Sequence, residues 1–123
     1  MSKRILVIDD DDGVREIIQI SIESTTDWTV WVAASGREGM AIAQSTPPDL
    51  ILLDVMMPEE DGIAVYKRFQ ADNLTRSIPA ILLTAKTQTS EHQEFMALGV
   101  DGIITKPFKA TTLVEKIVQI VGW

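Results

Sequence analysis

The chain contains no cysteine, which excludes disulfides, thiolate metal sites and thiol nucleophiles. It has no run of lysine or arginine, and its 11 basic residues face 18 acidic ones for a net charge of −7. That balance argues against direct nucleic-acid binding and suits a metal cation or a basic partner surface. Long hydrophobic runs are missing too. Ile5-Leu6-Val7-Ile8 gives way at once to four aspartates, too short for a signal peptide or a membrane span. A cytoplasmic location without membrane contact is the resulting expectation. No segment is low in complexity, and no internal repeat occurs. Histidine occurs once, at His92. The 123 residues, 46% of them hydrophobic, are enough for a core without staples, and a single domain over 1–123 is expected.

Apolar runs alternate with helical spacing. Ile5 to Ile8 reads as a first strand. Val14, Ile17, Ile18 and Ile22 repeat at helical intervals, giving a helix that ends between Ser24 and Asp27. Trp28 to Ala33 is β-branched and aromatic but interrupted by Thr29, as an edge strand would be. Ser35 with Glu38 forms a capping-box pattern that opens a helix to about Gln44, and Pro47-Pro48 stops it. Leu50 to Asp54 is the next strand, and 62–71 the third helix. Pro79 precedes the apolar strand Ala80 to Thr84. Residues 87–98 are mostly polar, so the fourth helix should be the least firmly packed, and Gly99 ends it. Ile103-Ile104 forms a short fifth strand, and 110–121 carries one broad apolar stripe. Five βα units predict an α/β, flavodoxin-like (βα)5 three-layer sandwich. The uniformly apolar strands belong at the centre of a parallel sheet, in order 2-1-3-4-5.

Four aliphatic residues run straight into Asp54, and Pro58 marks the loop beyond. On that stretch alone Asp54 reads equally well as a strand-end functional carboxylate or as a loop cap. The other strand ends weigh in. Ligands of such sheets bind at the carboxyl edge of the strands. There strand one delivers Asp9 and Asp10, strand three Asp54, strand four Thr84 and strand five Lys106. An all-oxygen acidic cluster favours a hard ion such as Mg²⁺, with Mn²⁺ as second candidate. A divalent cation beside a lysine and a hydroxyl suits a phosphoryl group, with Asp54 as the nucleophile.

Four pieces carry a family resemblance: Ile5-Leu6-Val7-Ile8-Asp9-Asp10, Leu53-Asp54-Val55-Met56-Met57-Pro58 with Asp61-Gly62, Leu83-Thr84-Ala85, and Lys106-Pro107-Phe108. In that order they resemble a response-regulator receiver domain of two-component signalling. The resemblance covers essentially the whole chain. It implies that Asp54 accepts phosphate from a histidine kinase or a histidine phosphotransfer protein. Asp10 would bind Mg²⁺ directly, Asp9 through a bound water, and Met56 through its backbone carbonyl. Thr84 would bond the phosphoryl group, and Lys106 would pair with Asp54 or the phosphate. Ala85 would leave room for the donor, and Lys106-Pro107 would be cis. It further implies a switch that catalyses only its own phosphotransfer and dephosphorylation. The switch would signal through the face of helix four, strand five and helix five, as a monomer or a weak phosphorylation-linked dimer. A stand-alone receiver is the expectation, with the receiver part of a longer regulator or hybrid kinase as the alternative.

Ile103 stands where such receivers commonly carry an aromatic switch residue, so a ring rotamer switch is not expected. Apolar Met56 occupies a rate-tuning position, as does Lys86, and Met56 points to a long-lived phosphoryl group. A phosphatase of the haloacid-dehalogenase type would need a second aspartate at position 56. A flavodoxin-like cofactor binder would need a Ser/Thr/Gly loop where four aspartates stand. An EF-hand aligned on Gly13 would put Ile8 and Gln19 at ligating positions. Asp11 and Asp12 are expected as first-turn acids, His92 as a solvated residue, and Trp28, Trp31 and Trp123 as packing or edge residues.

Overall fold

Strand runs of four successive apolar residues must be covered on both faces, and this chain has three of them, at 5–8, 50–53 and 80–83. In a computed structural model, which describes residues 2–58 and 60–123, they form the middle of one parallel sheet. The strands are β1 (Arg4–Ile8), β2 (Thr29–Ala33), β3 (Leu50–Asp54), β4 (Ala80–Thr84) and β5 (Gly102–Thr105), in order β2-β1-β3-β4-β5. Between and after them come α1 (Asp12–Glu23), α2 (Gly36–Ser45), α3 (Gly62–Ala71), α4 (Thr89–Ala97) and α5 (Ala110–Val121). The expected architecture and strand order hold.

Side chains of a strand alternate between faces, and the core divides accordingly. Ile5, Val7, Leu50 and Leu52 pack with Ile18 and Ile22 of α1 and Leu113 and Ile117 of α5. Leu6, Ile8, Ile51 and Leu53 pack on the other face with Val65, Tyr66 and Phe69 of α3 and Phe95 of α4. Ala43 of α2 joins this second layer. Helix α4 buries only Phe95, so it is the least anchored helix, as its polarity predicts.

The element ends shift by a residue or two. Asp11 is the N-cap of α1, its side chain accepting the Val14 N–H, and Asp12 lies in the first turn. Ser35 accepts the Glu38 N–H at 3.1 Å. The Glu38 carboxylate takes the N–H of Ala34 rather than that of Ser35. Trp28 and Trp123 pack at the opposite end from the acidic cluster. Trp28 meets Trp123 edge to face at 5.1 Å, with Lys3 over the Trp123 ring, while Arg4 covers Trp31.

Candidate phosphoryl-acceptor and metal site

The register of the sheet brings the polar residues level. Ile8 pairs with Leu53, so the next residues, Asp9 and Asp54, leave β1 and β3 side by side. Asp54 pairs with Leu83 and Thr84 with Thr105, which puts Thr84 and Lys106 one step further along the same edge. Val55 N–H donates to the Leu83 carbonyl at 3.0 Å, and Lys106 N–H to that of Thr84 at 2.7 Å. The ladder thus continues past the strands and holds these residues in line.

Oxygens of Asp9, Asp10 and Asp54 lie within 4.8 Å of one another. Asp9 and Asp54 are buried while Asp10 is exposed. Lys106 Nζ donates to Asp9 Oδ2 at 2.9 Å and to Asp54 Oδ1 at 3.1 Å. Asp9 Oδ1 takes the Asp11 N–H at 2.9 Å, so both of its oxygens are engaged. Among the described residues the Asp10 carboxylate has no hydrogen bond and is the freest ligand. This all-oxygen set, open on the Asp10 side, fits a hard divalent cation of the Mg²⁺ type.

Burial, and then the charge of Asp9, raise the pKa of Asp54 above its ordinary value, with Lys106 pulling the other way. For Lys106 burial opposes the charge, but its bonds and charge pairing with Asp9 and Asp54 outweigh this and raise its pKa. The ammonium therefore serves as the shared counter-ion of both buried carboxylates. Buried Thr84 accepts the Lys86 N–H at 3.0 Å, which leaves its own hydroxyl proton available. The Lys106-Pro107 peptide is cis. Ala85 is exposed beside the crevice, and Met56 is 67% exposed at its rim.

The loop from β3 to α3 is folded tightly under Asp54. Gly62 N–H donates to the Val55 carbonyl at 2.9 Å, and Met56 bridges to Asp61. A Cβ on Gly62 would stand 2.1 Å from the Asp54 carbonyl oxygen, so only glycine admits this approach. Asp61 caps α3 through the Ile63 N–H.

Every residue expected in the site lies along this one edge. Three further contacts were not foreseen. Arg15 Nη1 donates to the Asp9 carbonyl at 2.6 Å while pairing with Asp12; the spacing of Asp12 and Arg15 on one helix face was the available signal. His92 keeps part of its surface in solvent, and its Nε2 donates to the Lys86 carbonyl at 2.6 Å. Glu60 reaches Gly36 and Arg68 across three elements, which no local pattern announces.

Residues 5–118 match the family model described as response regulator receiver domain. The chain belongs to the response-regulator receiver family. It is 36% identical over 114 residues to the DNA-binding dual master transcriptional regulator RpaA of Synechocystis, covering 93% of this chain and 47% of that protein. It is also 36% identical over 117 residues to the phosphate regulon regulator PhoB of Pseudomonas aeruginosa, covering 95% of this chain and 51% of that one. The receiver thus spans about half the length of these curated relatives. Among solved structures, the chemotaxis response regulator CheY4 of Vibrio cholerae superposes with a TM-score of 0.90 at 29% identity, over 98% of this chain and all of that one. The receiver domain of Francisella response regulator 1452 gives 0.86 at 30% identity, over 96% of this chain and 95% of that one. No described helix of this receiver is long and apolar enough to cross a membrane.

Proposed function

We propose that residues 1–123 form a receiver unit that takes a phosphoryl group onto Asp54 from a phosphohistidine and releases it slowly. The observation that carries this reading is the position of Asp54, buried between the Asp9–Asp10 pair and Lys106. An Asp54 oxygen forms a bond to phosphorus as the phosphorus–nitrogen bond of the donor breaks. The imidazole leaves with that electron pair and takes a proton. Asp10, Asp54 and the Met56 carbonyl are the candidate direct ligands of Mg²⁺, with Asp9 acting through bound water. When bound, the ion neutralises charge on the phosphoryl oxygens. Lys106 balances the charge left on the group, and the Thr84 hydroxyl, already oriented by the Lys86 N–H, donates to one of its oxygens. The chain would therefore catalyse only its own phosphotransfer and dephosphorylation, and turn over no metabolite.

Signalling would follow from rearrangement near Thr84, passed to the face of α4, β5 and α5. Weak anchoring of α4 through Phe95 supports this, and the half-buried Ile103 offers no ring to swing. The partners are a histidine kinase or phosphotransfer protein upstream and a protein target downstream, in the cytoplasm. The site makes the same demands in a stand-alone receiver and in the receiver part of a longer regulator. Incubation with acetyl phosphate and Mg²⁺ followed by intact mass tests the reading. The parent should gain one phosphoryl group and Asp54→Asn none; an unmodified parent would overturn it.

A further inference from the structure

The first turn of a helix has N–H groups that the helix cannot satisfy. In α2 one of them is met from far away in the chain. The Gly36 N–H donates to Glu60 Oε1 at 2.6 Å, across 24 residues. Glu60 Oε2 pairs with Arg68 of α3. These donors, Arg68 foremost, hold the Glu60 carboxyl below its ordinary pKa despite partial burial. Gly36 makes the approach feasible, because a Cβ there would stand 2.4 Å from Glu60 Oε1 and 2.5 Å from Val65 Cγ2.

Glu60 belongs to the loop that carries Met56. That loop is closed on itself by the Met56–Asp61 bridge and the Gly62–Val55 bond. These contacts set its shape, whereas Glu60 ties it sideways to α2. The tie shares a cleft of 560 Å³ with one metal candidate, Asp10, alongside Ser35, Arg37 and Met57. Cation affinity depends on ligands held in place before the ion arrives. Groups that orient ligands without touching the ion typically set it by 10–100-fold.

We infer that Glu60 is a positioning residue, which by bonding the N-terminus of α2 fixes the β3–α3 loop and so holds the Met56 carbonyl ready for a divalent cation. The inference rests on the metal-site reading above. It leaves Glu60 with no part in phosphotransfer itself.

Calorimetric titration of MgCl₂ into the unphosphorylated parent, Glu60→Met and Glu60→Gln tests it. Met keeps the bulk of the side chain without an acceptor, while Gln keeps an oxygen for the Gly36 N–H. Glu60→Met should bind Mg²⁺ about 10-fold more weakly, and Glu60→Gln should lie closer to the parent. With acetyl phosphate, Glu60→Met should need more Mg²⁺ for half-maximal rate yet reach the parent's rate at saturation. A merely structural role would not produce that split. Parent-like Mg²⁺ affinity in a folded Glu60→Met protein would overturn the inference. A parent that binds no Mg²⁺ would instead overturn the metal-site reading, and the inference with it. Should Glu60→Met fail to fold, Glu60→Ala carries the same comparison.

Discussion

Lys106 Nζ and Asp54 Oδ1, 52 residues apart in the chain, meet at 3.1 Å where β5 and β3 end. The same ammonium reaches Asp9 at 2.9 Å. One cation thus holds two buried carboxylates together. Charge compensation in this crevice therefore rests on one lysine.

Removing either partner should move stability in opposite directions. The raised pKa of Asp54 means that the native state holds its proton more tightly than the unfolded chain does. Its contribution is present below the ordinary value of 3.8 and is lost as pH rises through the raised native value. At neutral pH in EDTA, Asp54→Asn should therefore melt above the parent, and Mg²⁺ should narrow the gap by stabilising the parent. Lys106→Met leaves Asp9 and Asp54 buried without their cation and should cost roughly 3 kcal/mol. The raised pKa of Lys106 gives a contribution present below 10.5 and lost as pH climbs through the native value. The parent's advantage over Lys106→Met should then shrink at strongly alkaline pH. Melting curves against pH check all three directions.

Thr84 Oγ1 holds the Lys86 N–H at 3.0 Å. If the hydroxyl turns to a phosphoryl oxygen, that amide loses or changes its acceptor. The Lys86 amide resonance should shift on phosphorylation of the parent. In Thr84→Ala it should differ from the outset and respond little, although phosphate is still taken up. An unchanged Lys86 amide in the phosphorylated parent would remove Thr84 from the signalling route.

Met56 is 67% exposed at the mouth of the crevice, where its apolar side chain would hinder a water approaching the phosphoryl group. Met56→Asn should lose phosphate several times faster than the parent, measured by the decay of the phosphorylated mass. Equal lifetimes would assign the slow step to another group.

The close approach of Gly62 to the Asp54 carbonyl gives a sharper structural test. A Cβ at this position meets backbone at 2.1 and 2.7 Å, and backbone yields less readily than a side chain. Gly62→Ala should cost about 1–3 kcal/mol and weaken Mg²⁺ binding, because the displaced segment bears Asp54 and Met56. Denaturant unfolding and a Mg²⁺ titration read the two effects.

The parts of this fold legible in the sequence were those written in local periodicity. The Leu50 and Ala80 runs announced central strands because burial on both faces leaves no polar alternation. Thr29 marked an edge, and the polarity of 87–98 foretold a helix held by little more than Phe95. Asp9, Asp54, Thr84 and Lys106 were readable as a group because a parallel sheet aligns its carboxyl ends, so sequence position translates directly into place. What stayed hidden was chemistry made by side chains crossing between elements. Nothing near Glu60 indicates that it will reach the first turn of α2, and nothing near His92 that it will bond the Lys86 carbonyl. Such contacts depend on how helices settle on the sheet, which no short window records.

The most direct test of the central claim is to locate the phosphoryl group. Borohydride reduces an aspartyl phosphate to homoserine, and peptide mass mapping then identifies the residue. Protein treated with acetyl phosphate and Mg²⁺ should yield homoserine at position 54 alone, and none when Mg²⁺ is removed. Homoserine at another aspartate, or phosphate on a residue that borohydride does not reduce, would contradict the assignment of Asp54 as the acceptor.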